Sequence, residues 1–193
     1  MPPKAKITRE DILKCAYELA LQDGFSSLSS RNLAHALGCS VQPVFSHFPT
    51  MEALKQEIYQ YACTQCAEEV LVRTRDQDLL TTLTLWMLDL AKNRPNLFEL
   101  LYLSSLNGAR TLPEALVQSA NHRKMIQVIA DARDLSLKES EDILIRSCIF
   151  LMGIGTMICI NKVDMGEKEI LCLMRRTVDD FVSGRKAEKR TGQ

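Results

Sequence analysis

Residues 29–48 read SSRNLAHALGCSVQPVFSHF, and this stretch decides the fold. Ser29 is suited to cap a helix, because its hydroxyl accepts a backbone N–H that the first turn leaves unpaired. Leu33, Ala34 and Leu37 then recur at helical spacing. Gly38 follows where a helix most easily ends, since glycine adopts the left-handed conformation without steric cost. The stretch therefore predicts a short helix that stops at a glycine corner.

A second short helix follows this corner. Ser40 can cap it, and Pro43 is tolerated in its first turn, where no intrahelical N–H bond is lost. Val41, Val44 and Phe45 are predicted to form its inner side. The outward groups are then polar, namely Gln42, Ser46 and His47. Two short helices around a corner of about three to four residues are typical of a helix-turn-helix, which places its second helix in the DNA major groove.

One more helix is predicted before this unit. Thr8 is a capping residue followed by acids at Glu10 and Asp11, which favour the first turn through the helix dipole. Gly24 ends the helix, and Phe25 is predicted to fold back as a core plug. The buried stripe is predicted to consist of Ile12, Ala16, Leu19 and Ala20. Together these helices predict a DNA-binding domain at residues 1–50, preceded by a basic arm at residues 1–7.

The remainder reads as helix throughout. Helices are predicted at about 51–74, 78–93, 95–106, 113–132, 136–162 and 167–183, with a frayed tail after them. No alternating strand pattern and no internal repeat is evident. The predicted fold is all-α, with a helical regulatory and dimerisation domain at residues 51–193. Hydrophobic residues make up 46% of the chain, which is enough for a sizeable core.

Charge and cysteine content narrow the functional classes. Lys plus Arg equals Asp plus Glu at 24 each, so a DNA-binding interpretation must rest on local geometry. Seven scattered cysteines and a polar start predict a cytoplasmic protein with free, mostly buried thiols. Cys63 and Cys66 share a helix face, but no other cysteine or histidine accompanies them at zinc-ligand spacing. We expect no metal site and no cofactor.

The stretch Cys148–Ile160 carries no charge on any face. It is shorter than the roughly 20 residues that cross a bilayer, so we expect no membrane partner. A helix that is apolar all round must be buried all round, which indicates that a partner subunit covers part of it. An ordinary core helix is the alternative. The predicted dimer interface comprises Ile149, Met152, Gly153 and Thr156 here, and Ile170, Met174, Val178 and Phe181 on the last helix.

Residues 8–54 resemble the TetR family of one-component transcriptional regulators. The resemblance rests on small residues within the first helix, a glycine-aromatic pair, the core of the first helix-turn-helix helix with its glycine and serine, an aromatic and His-Phe. The matching residues are Ile12, Ala16, Gly24, Phe25, Leu33, Ala34, Leu37, Gly38, Ser40, Phe45, His47 and Phe48.

This resemblance implies a homodimer that binds a palindromic double-stranded DNA operator through two amino-terminal heads. It also implies repression that is relieved by a small ligand bound in the helical body. The implied DNA contacts lie at the start of the second helix, along the third, and at the start of the fourth. In this sequence they are Ser29, Ser30, Arg31, Ser40, Gln42, Pro43, Phe45, Ser46, His47, Thr50, Met51 and Lys55.

Three positions depart from the family pattern. Phe45 stands where a tyrosine hydroxyl commonly reaches a phosphate, Met51 replaces a common lysine, and Ser30 replaces an apolar residue. Residues 1–48 hold five basic side chains against four acidic ones. Fewer phosphate contacts predict weak non-specific binding with a shallow salt dependence. Most of the charge would come from Lys4, Lys6, Arg31 and Lys55.

The body is rich in methionine, which suits pockets for varied apolar ligands but also fills ordinary cores. The candidate ligand-binding residues are Trp86, Phe98, Tyr102, Asn107, Arg110, His122 and Cys159. The leading interpretation is a repressor released by a small apolar ligand. Two alternatives share the fold, namely a DNA-binding protein without an effector and a helical dimer that has lost operator binding. No catalytic constellation is present, so an enzyme is not expected.

Overall fold

The computed structural model describes residues 7–74, 78–105 and 120–191, and the side chains of 121–183 within the last range. These ranges contain nine α-helices and no strand, which confirms the all-α prediction. The Phe25–Ser27 segment is a 3₁₀ turn, and Glu99–Leu103 is a π-helical turn. The helices are α1 Arg9–Asp23, α2 Ser30–Ala36, α3 Val41–His47, α4 Met51–Arg73, α5 Leu79–Asn93, α6 Pro95–Phe98, α7 Ala120–Arg133, α8 Leu137–Cys159 and α9 Glu167–Thr191.

Capping side chains set the starts of the helices that build the amino-terminal region. The Thr8 hydroxyl accepts the N–H of Asp11, whose carboxylate accepts the N–H of Thr8 in return. Ser29 and Asn32 form the same reciprocal arrangement at α2. Thr50 Oγ1 accepts the Ala53 N–H at 3.0 Å where α4 begins. Each cap satisfies donors that a helix start would otherwise leave unpaired, so the predicted helix starts are confirmed.

The chain divides into two compact units, and the boundary falls within α4. The first unit comprises Met1–Gln65 and Arg94–Asn107, and the second comprises Cys66–Asn93 and Gly108–Gln193. The functional division at residue 50 is a separate matter and stays a prediction.

The first unit has a small core beneath the helix-turn-helix. Its fully buried side chains come from α1, α2, α3 and α4, and from the residue that ends α3. They are Ile12, Ala16, Leu33, Val44, Phe48, Leu54 and Ile58. Phe25 is only partly buried, so its prediction as a core plug is wrong. Leu28, at the end of the 3₁₀ turn, is buried instead.

A later segment of the chain also belongs to this first unit. The Asn96 side-chain amide donates to the carbonyls of Leu21 and Gln22, at 2.8 and 3.1 Å. This bond fastens α6 to the last turn of α1, whose terminal carbonyls have no intrahelical partner. The contact joins residues 75 positions apart and gave no signal in the sequence.

In the second unit, α8 packs against α5, α7 and α9. Ile143, Leu144 and Leu151 are buried on its inner side. The helix is 23 residues long and apolar enough to cross a bilayer by length and composition. Its packing against three other helices is that of a core helix, and such a helix passes the same test.

Two helix boundaries differ from their predictions. The predicted helix at 95–106 is a four-residue α6 that passes into the π-helical turn and ends at Leu103. The last helix continues to Thr191, so the prediction that the tail frays after residue 183 is wrong. The start predicted at residue 113 lies outside the described residues.

The cysteines agree only partly with their prediction. All seven are free thiols, but Cys66 alone is buried and Cys172 is exposed. The prediction of mostly buried thiols is therefore wrong. Burial raises the pKa of Cys148 to about 12, so this thiol stays protonated at neutral pH. Within the described residues, no group of three His, Cys, Asp or Glu side chains is placed to hold a metal ion.

Gly38 at the corner between α2 and α3 gives a stability prediction. Its φ is +64°, and a Cβ added there would meet nothing within 4 Å. Gly38→Ala should therefore lower the free energy of unfolding by about 1–2 kcal/mol through backbone strain alone. Gly38→Asn is the matched control, because asparagine tolerates the left-handed conformation better. Equal losses for both variants in urea unfolding would contradict this explanation.

Candidate nucleic-acid interface

Helix α3 turns a mixed apolar and polar face to solvent. Val44 is 1% exposed and anchors the helix to the core. Phe45 is 44% exposed and Val41 is 39% exposed, so the prediction that both lie on the inner side is wrong. The helix has seven residues, and three apolar side chains spread over two turns cannot all face one small core.

The exposed side of α3 consists of two pairs one turn apart. Val41 and Gln42 precede Phe45 and Ser46, and all four are exposed. The Ser46 hydroxyl donates to the Gln42 carbonyl at 2.9 Å, which leaves the Gln42 amide side chain available to an external partner. We call these four residues the reading face. It offers an amide that can pair with a base edge and apolar groups that suit a thymine methyl.

His47 and Ser40, at the two ends of α3, have other roles. His47 Nε2 lies 3.2 Å from the Ile7 carbonyl oxygen, and the ring is half-buried. This contact favours a structural role that ties the start of the described chain to the recognition helix. Ser40 occupies the N-cap position, but its side chain makes no capping hydrogen bond. The predicted cap at α3 is therefore wrong.

The start of α2 presents one exposed cation. Arg31 is exposed, and the described part of the chain shows no ion pair to its guanidinium. Two other cations of the first unit are already paired, since Lys14 Nζ lies 2.6 Å from Glu10 and Arg9 pairs with Glu57. Arg31 is thus better placed than these two to neutralise a phosphate. The residues Lys4 and Lys6 lie outside the described residues.

The start of α4 adds a second candidate cation. Lys55 Nζ lies 5.4 Å from the centre of the Phe25 ring, and the side chain is half-buried. Thr50 is exposed but engaged as the cap of α4. Ser30, Pro43 and Met51 are half-buried. No finding tests the DNA contacts, so they stay predictions.

The candidate ligand-binding residues divide between the two units. In the first, the Phe98 and Tyr102 rings lie 5.2 Å apart. In the second, the Trp86 indole N–H donates to the Glu69 carboxylate at 3.1 Å, and burial lowers the pKa of His122. Cys159 is half-buried at the end of α8. Asn107 and Arg110 lie outside the described residues.

The predicted dimer residues separate into an inner and an outer set. Ile170, Met174 and Val178 are 0%, 2% and 2% exposed, so they pack within their own chain and leave no surface for a partner. The Phe181 ring is covered by Arg146, whose guanidinium carbon lies 5.1 Å from the ring centre. These four residues of α9 are therefore removed from the predicted interface.

The outer side of α8 remains apolar and uncovered. Ile149, Met157 and Ile160 are 45%, 47% and 56% exposed. Gly153 between them is exposed, and Met152 and Thr156 are half-buried. We call the six residues the outer face of α8. It is one continuous stripe at spacings of three and four residues.

The helix-turn-helix and its exposed reading face define a DNA-binding domain. Residues 12–58 match the model of the bacterial regulatory proteins of the tetR family. The chain therefore belongs, through this amino-terminal domain, to the TetR family. No curated protein sequence matches the chain significantly.

Two solved structures show the same fold along most of the chain. The multidrug binding protein EbrR, complexed with imidazole, superposes with a TM-score of 0.60 at 19% identity, covering 87% of this chain and 93% of its own. A variant of TetR from Acinetobacter baumannii AYE, in complex with minocycline, gives 0.59 at 16% identity, covering 94% and 98%. At these identities the likeness establishes the fold.

Arg31 gives a prediction for salt dependence. Arg31→Gln should weaken binding to specific and non-specific DNA alike and reduce the slope of log K against log salt by about 0.9, one phosphate contact. Lys14→Gln is the control, since Lys14 is held by Glu10 and should leave the slope unchanged. Fluorescence anisotropy across a salt series measures both. An unchanged slope for Arg31→Gln would remove this residue from the interface.

Proposed function

We propose that this protein is a transcriptional regulator that binds a palindromic DNA site as a homodimer and acts as a cytoplasmic repressor. The reading face of α3 is the observation that carries the proposal. It places Gln42 and Phe45 on the exposed side of a helix-turn-helix whose other side is anchored by Val44. A recognition helix needs this combination of a fixed inner side and unpaired outward groups.

The outer face of α8 supports the dimer. Ile149, Met157 and Ile160 would lose exposed apolar surface when two copies of the helix pack together. Gly153 lies between them and allows a second helix to approach closely. A two-fold axis through this face would let each half-site of a palindrome meet one reading face.

A small apolar ligand is proposed to release the protein from DNA. The two similar structures carry small organic molecules, according to their descriptions, which shows that proteins of this fold accommodate such ligands. The half-buried and buried side chains of Trp86, His122 and Cys159 in the second unit supply an apolar environment. The identity of the effector is left to experiment.

The decisive experiment is selection of bound fragments from genomic DNA, followed by release with added compounds. We expect one palindromic motif, and we expect hydrophobic compounds to stabilise the free protein and to lower its affinity for that motif. Retention without a shared motif would favour the helical dimer that has lost its operator. A motif that no compound releases would favour the DNA-binding protein without an effector.

A further inference from the structure

The second unit contains a cleft that none of the candidate ligand residues lines. It lies between the start of α5, the end of α7 and one side of α9, and its volume is about 320 Å³. Ligand sites for small molecules have volumes of roughly 300–1,000 Å³, so this cleft suits a small ligand.

The floor of the cleft is apolar. It includes Leu80, Met174 and Val178, which are buried, and Leu171, which is half-buried. A ligand that covers Leu171 would remove further apolar surface from water. The floor therefore favours a ligand with an apolar body.

The rim of the cleft carries two arginines and two aspartates. Asp78 is already engaged, because its Oδ2 accepts the Thr81 N–H at 2.9 Å as the cap of α5. Its Oδ1 lies 3.9 Å from the Arg133 guanidinium, which is beyond hydrogen-bond distance. The Arg133 donors thus have no close acceptor at Asp78.

Arg175 stands on the α9 side of the same cleft and is exposed. Within the described residues it makes no hydrogen bond or ion pair, although Asp179 lies one turn further along the helix. Two guanidinium groups with unused donors favour a planar carboxylate, which each can bind through paired N–H bonds. They disfavour a cationic ligand by charge repulsion.

We propose that this cleft binds a small carboxylic acid with an apolar body, whose carboxylate is held by Arg133 and Arg175. The apolar body lies on the floor formed by Leu171, Met174 and Val178. The site is independent of DNA binding, so its test contains no DNA and its failure would leave the proposed regulatory function untouched.

The test compares octanoate with 1-octanol by isothermal titration calorimetry on the full chain. We expect octanoate to bind one site per chain, and 1-octanol to bind at least about tenfold more weakly because it lacks the charge-assisted hydrogen bonds. Arg175→Gln should weaken octanoate binding about tenfold or more. Arg176→Gln is the control, because Arg176 is exposed on the same helix and does not line the cleft.

A second variant tests the floor. Leu171→Trp should fill the cleft and abolish octanoate binding while both arginines remain, and circular dichroism verifies that the variant folds. Equal affinity for acid and alcohol would overturn the proposal. So would the absence of octanoate binding, or unchanged binding in both Arg175→Gln and Leu171→Trp, which would place the acid elsewhere.

Discussion

Gly153→Trp is expected to separate the subunits and leave each chain folded. Gly153 is exposed on the outer face of α8, and a Cβ added there meets nothing within 4 Å in its own chain. An indole at this position should therefore clash only with a partner helix. Overpacking costs about 1–3 kcal/mol per site. A two-fold interface would count this cost twice, so the dimer dissociation constant should rise by about 30-fold or more.

Sedimentation velocity over a concentration series measures this change, and operator affinity should fall with it because one head alone reads half a palindrome. Gly166→Trp is the size-matched control. Gly166 is also exposed and has open space around its Cβ, but it lies outside the outer face of α8. A Gly153→Trp protein that dimerises like the parent would show that this face is not the interface.

Local signals in the sequence predicted the fold well. Thr8, Ser29 and Ser136 each start a helix through a reciprocal cap with the residue three positions later. Gly24 and Gly38 both have positive φ at the ends of short-range segments, as their positions predicted. Capping and left-handed corners depend on a few neighbouring residues, which is why a single sequence reveals them.

Orientation of short or doubly apolar helices could not be predicted in this way. Val41 and Phe45 are as apolar as Val44, and only packing against α1 and α2 determines that Val44 is the one buried. In α9, the apolar stripe of Ile170, Met174 and Val178 fits a subunit interface and a chain core equally well. The choice depends on α5 and α8, which are distant in sequence.

The reading face illustrates the same division between local and distant information. The sequence indicated Gln42 as an outward group, since it is polar at the start of the recognition helix. It gave no sign that Val41 and Phe45 flank this amide with exposed apolar surface. The site is therefore less polar than predicted, and Phe45 can contribute to specificity through apolar contact even though it lacks a hydroxyl for phosphate.

Gln42→Ala should produce the largest loss of sequence-specific binding among substitutions on the reading face. A bidentate pair between a glutamine amide and adenine is worth about 1–3 kcal/mol of discrimination. Because a homodimer presents Gln42 to both half-sites, the loss is about twice that, a fall in specific affinity of about 30-fold or more. Non-specific affinity should hardly change, since phosphate contacts supply it and glutamine carries no charge.

Binding-site selection with the parent and the variant measures this effect at single-base resolution. One position per half-site should lose its preference in Gln42→Ala, and the others should keep theirs. Ser46→Ala is the matched control on the same face, because the Ser46 hydroxyl is already bonded to the Gln42 carbonyl and has little donor capacity left for a base. A selected motif that is identical for parent and Gln42→Ala would mean that recognition is carried by Val41 and Phe45 through apolar contact.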